Sequence, residues 1–359
     1  MRTAAVLGSG VAALCSALIL ARHGWRVDLH DGDSSAGPRL VLNATTVQLV
    51  NQLFGENIAL WPEAHALRGR YVRWDTAAGE RFFGEPATVI SSQVLGRRLR
   101  ERVLGATDRI AVASAGAERE QAEPLAGDRW VIAARGRSAA GSGYRNWFRR
   151  CVLSADVACD AATSSAFTEA TTDGWLFLFP HAPGMATLQA MVADVAADPG
   201  AQLAAMLAET TLIAPRLRET PRTTTVARAA PRLRDDLCRS GWIAVGNEAL
   251  SLDPLCGDGT GHALREAILA AAVVRWIEDG LPAAEALDHY RNRLQRTLAA
   301  HLRACVAFYG EAPFAGAWDA EIAAMESGRR DLERSVAARP EAALRIRGFD
   351  LTAAGAARL

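Results

Sequence analysis

The sequence predicts an α/β fold: a βαβ scaffold with an antiparallel sheet set into it and helices closing the chain. Three observations predict this. The first thirty-one residues read as strand, glycine turn, helix and strand. The middle, Val152 to Val195, is dense in strand-like runs. From His262 onward the pattern is helical, apart from a looser segment around Gly310 to Gly316. Alternating strands and helices at one end, with a run of strands behind them, indicate a parallel sheet carrying a second, antiparallel one.

Ala4 to Leu7 is a short apolar run, the mark of a buried strand. Gly8-Ser9-Gly10 follows, then a helix pattern from Val11 to Arg22 that His23-Gly24 stops. A second strand, Arg26 to His30, ends on Asp31. This is the order a dinucleotide site requires. Gly8 and Gly10 let the backbone approach a pyrophosphate, whose charge faces the free N–H groups of Val11, Ala12 and Ala13 at the helix N-terminus. Ala13 stands where a third glycine is usual and serves close helix–strand packing. Asp31 is placed to accept hydrogen bonds from a ribose diol and would repel a 2′-phosphate, which favours FAD or NAD over NADP.

Beyond a polar turn, Arg39 either reaches a phosphate or is a solvated turn residue. Val41 to Phe54 reads as a helix entry followed by an amphipathic helix, with Asn43 as a possible cap. Residues from Ala59 to Ile90 are short and strand-like, and Leu95 to Val103 is helical. Arg109 to Ser114 and Trp130 to Ala134 read as strands of a small meander, joined by a solvated connection from Glu118 to Asp128. The apolar run Gly174 to Pro180 predicts a strand covered on both faces. Ala201 to Ile213 reads as a helix with Pro215 just beyond. Trp242 to Asn247 is a buried strand ending in a turn. Asp253 to Gly261 is a second glycine-rich loop, and His262 to Asp279 a helix capped by Gly280. A second nest of backbone donors at a helix N-terminus suits an anionic or carbonyl-rich group.

At 359 residues the chain fits two intergrown domains. With half its residues apolar and a net charge of zero, no polyanion-binding surface is implied, so no nucleic-acid partner is expected. No apolar run reaches membrane-spanning length, and the N-terminal apolar segment belongs to the nucleotide motif rather than to a signal peptide. The six cysteines are scattered with no C-x-x-C pair, so neither a metal site nor a disulfide framework is expected and the cytoplasm is the default compartment. Every basic residue counted as Lys or Arg is Arg, 40 in all. That excludes chemistry needing a lysine ammonium, including lysine-held PLP.

Together the two glycine-rich stretches, the second reading VGNEALSLDPLCGDGTGHAL, resemble the FAD-binding signature of flavoprotein monooxygenases related to para-hydroxybenzoate hydroxylase. Ala134-Arg135-Gly136-Arg137-Ser138 resembles the Ala-Thr-Gly-Arg-Ser of the tryptophan-halogenase branch, and Trp175 to Pro180 its W-x-W-x-I-P. The length is similar to short members, including flavoproteins that mature tryptophylquinone oxidases. The resemblance implies a Rossmann-like FAD-binding domain, an inserted antiparallel-sheet substrate domain and C-terminal helices. The corresponding ranges are 1–58 with 96–150 and 228–282, then 59–95 with 151–227, then 283–359.

The resemblance further implies FAD as cofactor. Gly8, Gly10, Val11, Ala12, Ala13, Asp31 and Arg39 would hold its ADP end. Gly246, Asn247, Pro254, Gly257, Asp258, Gly259, Thr260 and Gly261 would hold its ribityl chain and ring. Asn247 stands where the family usually has Asp, keeping an acceptor oxygen and adding a donor. The implied reaction is hydroxylation of an aromatic or indole substrate, a peptidyl tryptophan included, through a flavin C4a-hydroperoxide. Trp175, Phe177 and Phe179 would wall the substrate pocket, or else be plain core. Asp258, His262 and His181 are the candidate catalytic groups. The family's lysine is missing, so halogenation is not expected. The Asp-Gly motif of single-component hydroxylases, near both flavin and NAD(P)H, is also not evident, so electrons would come from a separate reductase or FAD would arrive already reduced. The external electron donor would be NAD(P)H or a separate flavin reductase. The alternatives are an FAD-dependent reductase of geranylgeranyl-reductase type and a flavin-binding scaffold without turnover.

Overall fold

The computed structural model describes residues 1–30, 37–75, 79–113, 129–136, 143–160, 162–221, 225–312, 316, 318–339 and 344–353. The expected ribose carboxylate Asp31, the connection 118–128 and residues Arg137 and Ser138 lie outside them.

The central sheet runs in the order β17 (Cys238–Arg239), β18 (Trp242–Ala244), β9 (Arg129–Ala133), β1 (Thr3–Leu7), β2 (Arg26–His30) and β8 (Ile110–Ala113). All its pairings are parallel except β17 with β18. Strands β1 and β9 are apolar on both faces because both faces are covered. Helix α1 (Val11–Arg22) is buried from Ala12 to Ala21, packed between β1 and helix α5 (Gly259–Glu278). A helix apolar all round belongs in a core, and this one lies at its centre. Helices α6 (Ala283–Glu311) and α7 (Asp319–Ala337) pack on each other at the C-terminal end.

A larger sheet runs in the order β15 (Thr225–Arg228), β11 (Cys151–Ala158), β14 (Met185–Val192), β13 (Gly174–Ala182), β12 (Ala166–Thr171), β5 (Arg70–Arg73) and β6 (Arg81–Phe83). It is antiparallel except where β12 meets β5. Its side chains alternate. Leu176 and Leu178 of β13 point to helix α4 (Pro199–Ala208) and its Leu203 and Met206, while Trp175, Phe177 and Phe179 take the other face. Two small sheets bracket the junction: β3 (Arg39–Asn43), β7 (Ala87–Ser91) and β4 (His65–Leu67); and β10 (Tyr144–Asn146), β16 (Arg232–Arg234) and β19 (Leu250–Ser251).

Four sequence expectations are corrected. Residues 110–113 and 129–133 form no meander; each joins the central sheet in parallel, beside β2 and β1 respectively. Residues 39–43 form a strand before helix α2 (Ala44–Phe54), and Asn43 caps that helix by accepting the Thr46 N–H at 2.8 Å. The helix expected to reach Ile213 ends at Ala208. The backbone N–H groups of Thr211, Leu212 and Ile213 instead converge on the Glu169 carboxylate, an acceptor from across the sheet that outcompetes a further helical turn. Finally, the C-terminal region is not wholly helical: β20 (Leu344–Arg347) and β21 (Asp350–Ala353) form a hairpin around Gly348, whose φ is 59°. Helix α3 (Ser92–Gly105) follows β7 directly, with Ser91 as its cap. No helix among the described residues is long and apolar enough to cross a membrane.

Candidate functional site

The glycine turn between β1 and α1 is shaped by close packing. Gly8 has φ 132°, and a Cβ there would meet the Ala134 carbonyl oxygen at 2.2 Å. Gly10, two residues on, is different: a Cβ there finds nothing within 4 Å. It is the N-cap of α1 and supplies no side-chain cap, so the first N–H groups of the helix are left for another acceptor. Ala12 and Ala13 are buried and serve packing.

The second loop repeats the arrangement. Asp253 accepts the Leu255 N–H at 2.9 Å and opens a short turn, Pro254 to Cys256, that Gly257 ends in the left-handed region. Gly257 and Gly259 also face open space, and α5 starts without a side-chain cap. Both uncapped helix ends open on one cavity of about 840 Å³.

Of the residues expected to hold a cofactor, Gly10, Val11, Arg39, Asn247, Pro254, Gly257, Asp258, Gly259 and Thr260 line this cavity. Gly8, Ala12, Ala13, Gly246 and Gly261 stand behind it and fix the turns. Trp175, Phe177 and Phe179 line it from β13, joined by Gln189 and Met191 of β14, which pair with Phe177 and Trp175 across the ladder. These aromatics are therefore both core and wall: Trp175 is 3% exposed and Phe179 1%.

Arg39 reaches toward the sheet. Its guanidinium donates to both Asp156 carboxylate oxygens at 2.8 Å, and His181 Nε2 lies 3.6 Å from the same carboxylate. Burial and the Arg39 charge both lower the His181 pKa, and the nearby Asp156 only partly offsets them. His181 does not line the cavity, and neither does His262. Burial and Arg265 lower the His262 pKa as well.

Asp258 does line the cavity, but its carboxylate is occupied. It accepts from Thr46 Oγ1 at 2.6 Å, Asn43 Nδ2 at 3.1 Å and the Arg265 guanidinium. Burial pushes its pKa up, and the Thr46 and Arg265 hydrogen bonds outweigh that, leaving a net lowering. Asp258 is thus an ionised tie between α2 and the second loop. Gly261 must be glycine for this tie, because a Cβ would meet the Asp258 carboxylate at 2.2 Å.

Sequence reasoning missed the contribution of α3. Gln93, Gly96, Arg97 and Arg100 line the cavity on the side of Ser9 and Gly10. The signal was present as the basic run Arg97-Arg98-Leu99-Arg100, which puts guanidinium groups near a candidate phosphate site.

No protein-family model matches the sequence, and no curated protein matches it. Solved structures do share the fold. The peptidyl tryptophan dihydroxylase QhpG, essential for tryptophylquinone cofactor biogenesis, superposes with a TM-score of 0.73 at 19% identity, covering 98% of this chain and 86% of its own. The myxobacterial chondrochloren halogenase CndH, a variant of FAD-dependent halogenases, gives 0.71 at 16% identity over 94% and 91%. The p-nitrophenol 4-monooxygenase PnpA from Pseudomonas putida DLL-E4 gives 0.66 at 16% identity over 94% and 100%.

Proposed function

We propose that the chain is an FAD-dependent monooxygenase acting on an aromatic or indole-bearing substrate. The observation that carries this is one shared cavity, lined both by the uncapped N-termini of α1 and α5 and by the aromatic face of β13. The residues present fit a dinucleotide flavin. The space beside Gly10, Gly257 and Gly259 is the space a side chain would fill, so a pyrophosphate and a ring can approach the backbone there.

Ser9, Gly10 and Val11, flanked by Gln93 and Arg97, would hold the pyrophosphate; Asn247 and Pro254 to Thr260 would hold the ribityl chain and ring. FAD, when bound and reduced, supplies the activation of oxygen that no side chain here provides. The chain's own part is positional. N–H groups at the α5 N-terminus favour negative charge on the ring, and Trp175, Phe177 and Phe179 seat an aromatic substrate and exclude water. The division into a discontinuous flavin-binding domain, a substrate domain on the large sheet and a helical C-terminal region belongs to the same proposal.

Likeness to the peptidyl tryptophan dihydroxylase over nearly the whole chain supports an indole in a peptide as the substrate. Likeness to halogenases does not extend to the chemistry of a lysine, which this sequence lacks. Electrons would come from NAD(P)H or a separate flavin reductase.

The test is spectroscopic. Purified protein is loaded with FAD, reduced without oxygen by NADH or by an added flavin reductase, then given air and a tryptophan-containing peptide. A product heavier by one oxygen, formed only with both, is expected. Failure to bind FAD overturns the reading. Reduction of substrate without oxygen replaces it with a reductase, and reoxidation with every candidate substrate unchanged replaces it with a scaffold.

A further inference from the structure

The aromatic wall and the second glycine loop are joined by a buried chain of hydrogen bonds. Trp175 Nε1–H donates to the Tyr309 hydroxyl at 3.1 Å, and that hydroxyl donates to Asp253 Oδ1 at 3.0 Å. Arg150 Nε–H donates to the other Asp253 oxygen at 3.2 Å. The Asp253 backbone N–H donates to His301 Nε2 at 2.9 Å. Trp175, Tyr309, Asp253 and Arg150 are all buried. Asp253 and Pro254 line the cavity and lead directly into Gly257 and Gly259, and Trp175 lines the same cavity from β13.

The Tyr309 ring is held independently of its hydroxyl. It stacks on Trp318 at 5.2 Å with planes 6° apart, and the Arg150 guanidinium sits 4.8 Å from its centroid. Burial and the Asp253 carboxylate keep its phenol well above the ordinary tyrosine pKa, hence protonated. A hydroxyl can accept from an indole and donate to a carboxylate at once, which a phenylalanine in the same place cannot.

We infer that Tyr309 is a positioning residue that couples occupancy of the aromatic pocket to the loop from Asp253 to Gly261. The inference rests on the proposed function only in taking the face of Trp175 as the place where an aromatic ring binds. A ring packed against Trp175 restrains its indole. The Trp175 N–H then holds the Tyr309 hydroxyl, and that hydroxyl holds the Asp253 carboxylate, whose hydrogen bond to the Leu255 N–H shapes the loop. The loop that would face the flavin ring is therefore ordered best when the substrate pocket is full.

Hydrogen–deuterium exchange on the full chain without flavin tests this, with indole as the probe and its binding followed by calorimetry. In the wild type, bound indole is expected to slow exchange of the amides from Leu255 to Gly261 about fivefold, the weight of one net hydrogen bond. Tyr309→Phe keeps the ring stack and is expected to bind indole with that response gone. If Tyr309→Phe does not fold, the wild-type comparison with and without indole carries the test. The inference is overturned if wild-type loop exchange ignores indole, whether through no binding or no coupling. A variant responding as the wild type does also overturns it. Because no flavin is present, a failure of FAD to bind overturns the proposed function alone.

Discussion

Ala12 and Gly246 meet at the start of α1: a side-chain carbon on Gly246 would stand 3.0 Å from the Ala12 Cβ. The start of α1 is thereby clamped to the turn Gly246–Glu248, which separates β18 from β19. Gly246 also has φ 59°, so an alanine there carries a backbone cost of about 1–2 kcal/mol. Gly280, φ 81° with no atom near its would-be Cβ, isolates that backbone cost. Gly246→Ala is expected to lose about 1 kcal/mol more than Gly280→Ala in urea titrations, the difference being the contact with Ala12. Equal losses would remove the clamp from the account.

Gly10 is open where Gly8 is closed, and the two should therefore answer differently to substitution. Asp is a better N-cap than Gly and its charge suits a helix N-terminus, so Gly10→Asp is expected to raise stability by about 0.5 kcal/mol. The same carboxylate would stand where a pyrophosphate must sit, and FAD affinity is expected to fall about a hundredfold. Gly8→Ala has no such freedom, because its Cβ would run into the Ala134 carbonyl, and it is expected to unfold the chain before binding can be measured. Differential scanning calorimetry with fluorimetric FAD titration reads both effects. A Gly10→Asp protein that still binds FAD normally would place the pyrophosphate elsewhere.

The contrast between those glycines explains what was legible in the sequence. Local order is written locally: Val11–Arg22 and Arg26–His30 stand where periodicity puts them, and Asn43 caps as its residue type suggests. Pairing partners are not. Nothing near Trp130 says that its strand lies beside β1 across more than a hundred residues, and the short run from Ile110 reads equally well as a meander. The helix expected to reach Ile213 failed for the same reason, since the Glu169 carboxylate that ends it comes from a distant strand. At the site, the glycine turns are legible through spacing, but the partners of Asp258, Asn43 and Thr46, are not, because they are far away in the chain.

Glu248 is another residue whose role appears only in three dimensions. It is fully buried, accepts from the Arg135 guanidinium at 2.6 Å and the Arg135 backbone N–H at 2.7 Å, and lies 3.5 Å from Arg234. It thus pins the segment Ala134–Arg135 against which Gly8 packs. Removing one side of a buried pair leaves an unmatched charge, so Glu248→Ala is expected to cost about 3 kcal/mol. The exposed pair Arg149–Asp194, at 82% and 74% side-chain exposure, provides the control. Asp194→Ala should cost about 0.5 kcal/mol or less. Urea midpoints on both variants check this, and a Glu248→Ala loss no larger than that of Asp194→Ala would show the buried pair to be dispensable.

His301 gives the acid limb of stability a specific origin. Its Nε2 accepts the Asp253 N–H, which requires the neutral ring, and burial lowers its pKa from 6.5 to about 4 although the Asp253 charge opposes this. A base with a depressed folded-state pKa binds fewer protons folded than unfolded between those two values. Its stabilising contribution is therefore complete above pH 6.5 and is lost as pH falls toward 4. His301→Gln keeps an acceptor for the Asp253 N–H and does not titrate. Between pH 7 and 5 the wild type is expected to lose about 2 kcal/mol more stability than His301→Gln, measured as the difference in urea unfolding free energy. The pKa values of His65, His181, His262 and His289 are also lowered, but these residues are common to both proteins and cancel in the difference. Parallel pH profiles for the two proteins would show that His301 titrates in the fold as it does unfolded and that its bond to Asp253 does not hold the ring neutral.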